Sequence, residues 1–178
     1  MKIREEHLYH GAVLNQIADH KRFTAINALK VEGQTSRCAF KVNDDIAVYI
    51  KHAEKPSGSY REYVFTFTTA NLRELTKTDR AGNNLHVALV CAKDREICCF
   101  PYEQLVELIE LRKQRFGATE PQYTLLVTLK ANEAFRVYMM QPGRKNLTLL
   151  RSGNRFARIF DECSPNASAT PSLFNLPT

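Results

Sequence analysis

The sequence has no long apolar run and no secretion signal. No apolar stretch approaches the roughly 18 to 20 residues that a membrane-spanning helix requires. The N-terminal stretch MKIREEHLYHG is charged and lacks the apolar core of a signal peptide. These absences predict a protein that crosses no membrane and stays in the cytoplasm.

The glycine motifs of several enzyme classes are also absent. None of the seven glycines falls in a phosphate-binding loop, a dinucleotide fingerprint or a GxSxG nucleophile elbow. The cysteines are odd in number and show no CxxC spacing: Cys38, Cys91, Cys98, Cys99 and Cys163. Because most of them fall in apolar runs, we expect reduced thiols packed in the core rather than a disulfide framework.

What remains is an ordinary globular composition, with 44% apolar and 25% charged residues in 178. This predicts one α/β (α+β) domain over residues 1–160 and a flexible tail over residues 161–178, which holds three prolines and many small polar residues. Within the domain we expect a mixed, largely antiparallel sheet built from hairpins, with two or three packed helices.

Runs rich in β-branched and aromatic residues predict the strands. Turn signals join six of these runs into three hairpins. The pairs are IAVYIKHA with EYVFTFT, LHVALVCA with EICCF, and YTLLVTL with AFRVYMM, and a further predicted strand, CAFKVN, precedes the first pair. Helical spacing predicts helices in HLYHGAVLNQIADH and YEQLVELIELRKQRF, the second stopped by Gly117. A short helix capped by Thr69 or Asn71 is expected between them, and GQTS is expected to be a loop.

The net charge of +6 is concentrated between Gln141 and Phe160, a segment without acidic residues. Its cations are Arg144, Lys145, Arg151, Arg155 and Arg158. A clustered basic segment is typical of proteins with polyanionic partners, so we expect nucleic acid, DNA or RNA, to bind here. An ordinary solvated surface is the alternative interpretation.

Other residues extend this hypothesis. Further phosphate contacts are assigned to Lys51, Arg37 and Arg61, and base stacking, if the rings are exposed, to Tyr49, Tyr63 or Phe156. A protein-interaction module, binding a partner chain through sheet edges or the tail, is a further alternative.

The stretch DDIAVYIKH, residues 44–52, raises a catalytic alternative. Some restriction and repair nucleases place a carboxylate two residues before a lysine on one strand, where both serve a divalent metal and the attacking water. Tyr49 occupies that position here. A turn in KPSGS would instead set Lys51 opposite Glu62. That pair could be catalytic with Mg²⁺ or Mn²⁺, or an ordinary cross-strand ion pair. His7 and His10 share a helical face, but no third metal ligand is apparent.

Overall fold

The computed structural model describes residues 2–117, 119–129, 134–141, 149–152 and 160, with the segment 149–152 described through its backbone. The helices are α1 (Glu5–Ala18), α2 (Thr69–Arg80) and α3 (Tyr102–Phe116). The strands are β1 (Ile26–Val31), β2 (Gln34–Val42), β3 (Ile46–Ala53), β4 (Tyr63–Thr68), β5 (Asn84–Cys91), β6 (Glu96–Pro101), β7 (Gln122–Thr128), β8 (Phe135–Met139) and β9 (Leu149–Ser152). Within this part of the chain, no helix is long and apolar enough to cross a membrane.

Two sheets organise the molecule. The five-stranded sheet has the order β1-β2-β3-β5-β6, and the four-stranded sheet has the order β4-β7-β8-β9. The pair β3–β5 is parallel, and the other ladders are antiparallel. This is an α+β fold, with a mixed, largely antiparallel five-stranded sheet and three helices, and it confirms the predicted fold class.

The central strands β3 and β5 of the five-stranded sheet are buried on both faces. On one face, Val13 and Ile17 of α1 belong to the same core as Val48 and Ile50 of β3. The opposite face joins the second sheet, α2 and α3 in a larger core that contains Tyr49. A strand that is buried on both sides reads as a continuous apolar run, which explains the sequence IAVYI.

The predicted hairpin between β3 and β4 is wrong. Strand β3 lies between β2 and β5 in the five-stranded sheet, and β4 belongs to the other sheet. The KPSGS segment instead carries the chain to the other sheet, where β4 pairs with β7. The remaining two predicted hairpins, β5–β6 and β7–β8, are confirmed.

Local structure near the N-terminus also differs from prediction. The expected GQTS loop is mostly strand, because Glu32 and Gly33, both at positive φ, make the turn of the β1–β2 hairpin. Strand β1 was not predicted. Helix α2 begins one residue early: the Thr68 side chain accepts a hydrogen bond from the Asn71 amide and serves as its N-cap. Helix α3 ends at Gly117 in the left-handed conformation, as predicted.

Tyr63 fastens the second sheet to the β5–β6 turn. Its hydroxyl donates to Oδ2 of Asp94 at 2.8 Å and accepts the Asp94 backbone N–H at 3.1 Å. Burial and the Asp94 carboxylate raise the pKa of the Tyr63 hydroxyl, so the hydroxyl stays protonated and remains a donor. The contact links residues 31 positions apart in sequence.

Candidate functional site

Most of the predicted phosphate-binding residues lie outside the described part of the chain. Those residues are Arg144, Lys145, Arg155 and Arg158, and the proposed stacking residue Phe156 and the tail 161–178 also lie outside it. Arg151 is the exception, since it lies in β9 at the edge of the second sheet.

The backbone register of β9 sets two arginines opposite one another. Arg136 of β8 pairs with Arg151 of β9, and Tyr138 pairs with Leu149. Directly opposed residues of an antiparallel pair have Cβ atoms about 4.5 to 5.5 Å apart. The register therefore sets two arginines at neighbouring backbone positions in the sheet.

The second sheet has one buried face and one accessible face. Phe135, Val137 and Met139 of β8 are buried in the core, whereas Arg136 and Tyr138 are partly exposed between them. We call the accessible side the outer face; its residues are Val64, Thr66, Thr124, Leu126, Thr128, Arg136 and Tyr138.

A row of larger side chains crosses the outer face. The ladders set Val64 opposite Leu126 and Leu126 opposite Tyr138. Val64 is 41% exposed despite being apolar. Beside this row, the hydroxyls of Thr66 and Thr124 lie 3.2 Å apart. The outer face thus combines a tyrosine ring, accessible apolar surface and an arginine.

Tyr138 was not singled out from the sequence, although a signal for it exists. In FRVYM, the apolar residues 135, 137 and 139 alternate with Arg136 and Tyr138. Because successive side chains of a strand point to opposite faces, this alternation assigns the arginine and the tyrosine to the accessible side. By contrast, Tyr49 and Tyr63 are 1% and 0% exposed. The condition for base stacking, an exposed ring, is therefore not met by either tyrosine.

A second polar region lies beside α2. The ladder between β2 and β3 joins Ala39–Val42 with Ile46–Tyr49, and the preceding part of β2 continues only with β1. A cleft of about 450 Å³ lies next to the point where the two strands separate. We call it the α2 cleft; its lining includes Arg37, Cys38, Tyr49, Asn71, Arg73 and Glu74.

Lys51 adjoins this cleft. Its ammonium donates to Oδ1 of Asn71 at 3.2 Å and lies 5.3 Å from the centroid of the Phe67 ring. Burial lowers the pKa of Lys51 below its usual 10.5, whereas the electrostatic effect of the nearby Cys38 and Glu74 opposes that shift. Lys51 is therefore a half-buried cation held by α2 and β4.

The structure does not set Lys51 opposite Glu62. The ladder partner of Lys51 on β5 is Leu89. Glu62 closes a local turn with Ser57, whose backbone N–H donates to the Glu62 carbonyl at 2.8 Å. The cross-strand pairing is therefore wrong for the same reason as the β3–β4 hairpin: β4 pairs with β7 in the other sheet rather than with β3.

A metal was tested against the donor groups that are present. Among the described residues, no group of three or more histidine, cysteine, aspartate or glutamate side chains could hold an ion. His7 accepts the Arg4 backbone N–H at 3.4 Å, and His10 is buried against Phe40. No third ligand joins these two histidines within the part of the chain that the structure describes.

Comparison with known proteins gives no family for this chain. No protein-family model, curated protein or solved structure matches it. The sequence and the chemistry of the described residues are therefore the basis for inferring function.

Proposed function

We propose that the protein binds a nucleic-acid strand across the outer face of the second sheet, with the basic segment 144–158 contacting the phosphates. The pairing of Arg136 with Arg151 is the observation that carries this proposal. It connects the basic segment to a sheet face that already bears an arginine and an aromatic ring.

Charge supports a phosphate partner. Guanidinium groups remain charged at all physiological pH values and match phosphate oxygens with two parallel hydrogen bonds. The register brings two such residues, Arg136 and Arg151, to facing backbone positions, which favours an anion at this part of the sheet.

The outer face favours a single strand over a duplex. Unpaired bases stack on accessible aromatic rings, and such stacking tolerates any base because every base has a π face. Tyr138 lies in the middle of the face, with Leu126 opposite it on β7. In a duplex, the bases are already stacked and paired, so Tyr138 would contribute little.

A binding titration tests this proposal. Fluorescence anisotropy of a labelled mixed-sequence oligonucleotide, single-stranded or annealed to its complement, gives both affinities at low salt. We expect the single strand to bind about tenfold more tightly, the order of one base–aromatic contact. Failure of both polymers to bind at micromolar protein would overturn the proposal. Tighter binding of the duplex would remove the stacking role of Tyr138.

The nuclease and the interaction module remain alternative predictions, and each can be tested by a separate experiment. A nuclease would cut labelled DNA or RNA when Mg²⁺ or Mn²⁺ is added, and the cutting would be lost in Lys51→Ala or Glu62→Gln. An interaction module would show no salt-dependent affinity for either polymer.

A further inference from the structure

The α2 cleft has features that nucleic-acid binding on the outer face does not use. It lies between α2 and the β1–β2 hairpin, and it contains none of the outer-face residues. Its volume of about 450 Å³ falls in the range of small-molecule sites, roughly 300 to 1,000 Å³. A ligand other than the polymer must therefore be considered for it.

Positive charge predominates around the cleft. Arg37 of β2 and Arg73 of α2 are both exposed and both line the cleft, and Arg37 also borders a second pocket beside α1. The ammonium of Lys51 reaches the same region through Asn71. Lys77, further along α2, is neutralised by Glu32. Two arginines and a lysine thus stand against the single remaining carboxylate of Glu74.

The floor of the cleft holds a polar atom that lacks a partner. Tyr49 is 1% exposed, and within the described part of the chain its hydroxyl has no hydrogen-bond partner. The Asn71 side chain lies beside it, but the two do not meet hydrogen-bond geometry. A buried hydroxyl without a partner costs free energy, so such groups are usually satisfied by protein, water or ligand.

The geometry points to a binding site for a phosphomonoester in the α2 cleft, with the phosphate held by Arg37, Arg73 and the Tyr49 hydroxyl. A phosphate monoester offers three terminal oxygens, which suits donors that come from β2, α2 and β3. Arginine is the side chain best matched to such an oxyanion. The first turn of α2, with Ala70 and Asn71 at the cleft, adds the positive end of the helix dipole.

Glu74 indicates what the phosphate is attached to. An ionised carboxylate is an acceptor only, so it repels a bare phosphate but binds hydroxyl groups. The cleft is also larger than a phosphate alone requires. A phosphorylated sugar, free or at the end of a nucleic-acid strand, supplies both the phosphate for the arginines and hydroxyls for Glu74.

Calorimetric titration of the full chain with ribose 5-phosphate tests the site without any polymer, so its failure is separable from failure of the proposed function. We expect one ribose 5-phosphate per chain, competition by inorganic phosphate, and no heat from ribose. Tyr49→Phe should weaken binding about tenfold, the order expected for one hydrogen bond to a charged group. Arg73→Gln should weaken it at least as much.

Lys93→Gln is the matched control, because Lys93 is exposed on the β5–β6 turn, outside the cleft. Its affinity for ribose 5-phosphate should equal that of the wild type. Equal affinities in the wild type, Tyr49→Phe and Arg73→Gln would overturn the site. If Tyr49→Phe does not fold, Arg73→Gln, a change at an exposed position, tests the site alone. An affinity equal to that of the wild type would then overturn the site.

Two oligonucleotides, one with a 5′-phosphate and one with a 5′-hydroxyl, distinguish the two sources of the ligand. A preference for the phosphorylated end that disappears in Arg73→Gln assigns the cleft to strand ends. If ribose 5-phosphate binds but the two oligonucleotides have equal affinities, the cleft is assigned to a free sugar phosphate.

Discussion

Arg136 in β8 lies directly opposite Arg151 in β9. Residues that face each other in an antiparallel ladder are close neighbours in the sheet. The pair therefore links β9, the described part of the basic segment 144–158, to the outer face of the second sheet. A nucleic-acid strand that occupies the outer face should accordingly also lie against β9.

Stacking on Tyr138 should be measurable by substitution. Tyr138→Ala should weaken single-strand binding about 5- to 100-fold, since a base–aromatic contact contributes about 1 to 3 kcal/mol. Tyr138→Phe keeps the ring and should bind like the wild type. Tyr9→Ala is the control, because Tyr9 lies on α1, beyond the other face of the five-stranded sheet, where its ring contacts His52. If Tyr138→Ala and Tyr9→Ala bind equally well, stacking on the outer face is excluded.

The Tyr63–Asp94 contact should contribute to stability. Tyr63→Phe removes both hydrogen bonds to Asp94 and should lower the free energy of unfolding by about 1 to 3 kcal/mol. Tyr102→Phe is the matched change, because the Tyr102 hydroxyl makes one neutral contact, with Thr76 at 3.2 Å. Urea unfolding followed by circular dichroism compares the two variants. A loss for Tyr63→Phe no larger than that for Tyr102→Phe would contradict the proposed fastening of the two sheets.

The thiols should differ in reactivity according to burial. Cys91, Cys98 and Cys99 are buried, whereas Cys38 is half-buried beside the α2 cleft. Burial raises the pKa of both the Cys38 and Cys91 thiols, so all four should react slowly. Of these four thiols, Cys38 should still be labelled first. Peptide mapping after timed alkylation of the native protein measures this order, and rapid labelling of Cys98 would refute its place in the core.

The lowered pKa of Lys51 predicts that the stability of the folded protein depends on pH. Because burial lowers its pKa in the folded state, the unfolded chain binds the proton more tightly. The resulting destabilisation is complete below the folded pKa and fades as pH rises toward the usual 10.5. The wild type should therefore gain stability relative to Lys51→Met as pH increases through that window. Unfolding of both proteins at several alkaline pH values checks this; a constant difference would show that Lys51 is not desolvated.

The sequence predicted where the strands lie better than it predicted which strands pair with one another. Strand β3 was placed at residues 46–53 because a β-branched run is visible locally. Its partners were not predictable from that run, since the parallel β5 arrives only after β4 and α2 have intervened. The KPSGS turn signal is real, but it closes a local turn between Ser57 and Glu62 rather than a hairpin of the flanking strands.

The residues of a candidate site could be predicted from the sequence only where alternating apolar and polar residues identify the accessible face of a strand. Arg136 and Tyr138 could have been assigned to the outer face from FRVYM alone. The α2 cleft could not, because it depends on where β2 leaves β3 and on a helix that approaches from a distant part of the chain. Arg37 and Arg73 show no common pattern in sequence.

The salt dependence of single-strand binding tests the central claim most directly. If about four cations of the outer face and the basic segment touch phosphates, a plot of log affinity against log salt should have a slope of about −3. Replacing Arg151 and Arg155 by alanine should flatten that slope by about 1.5 on every sequence. The double variant Lys55→Ala/Lys93→Ala removes the same charge from exposed positions outside the outer face and should leave the slope unchanged. Identical slopes in all three proteins, or no binding at low salt, would contradict the account.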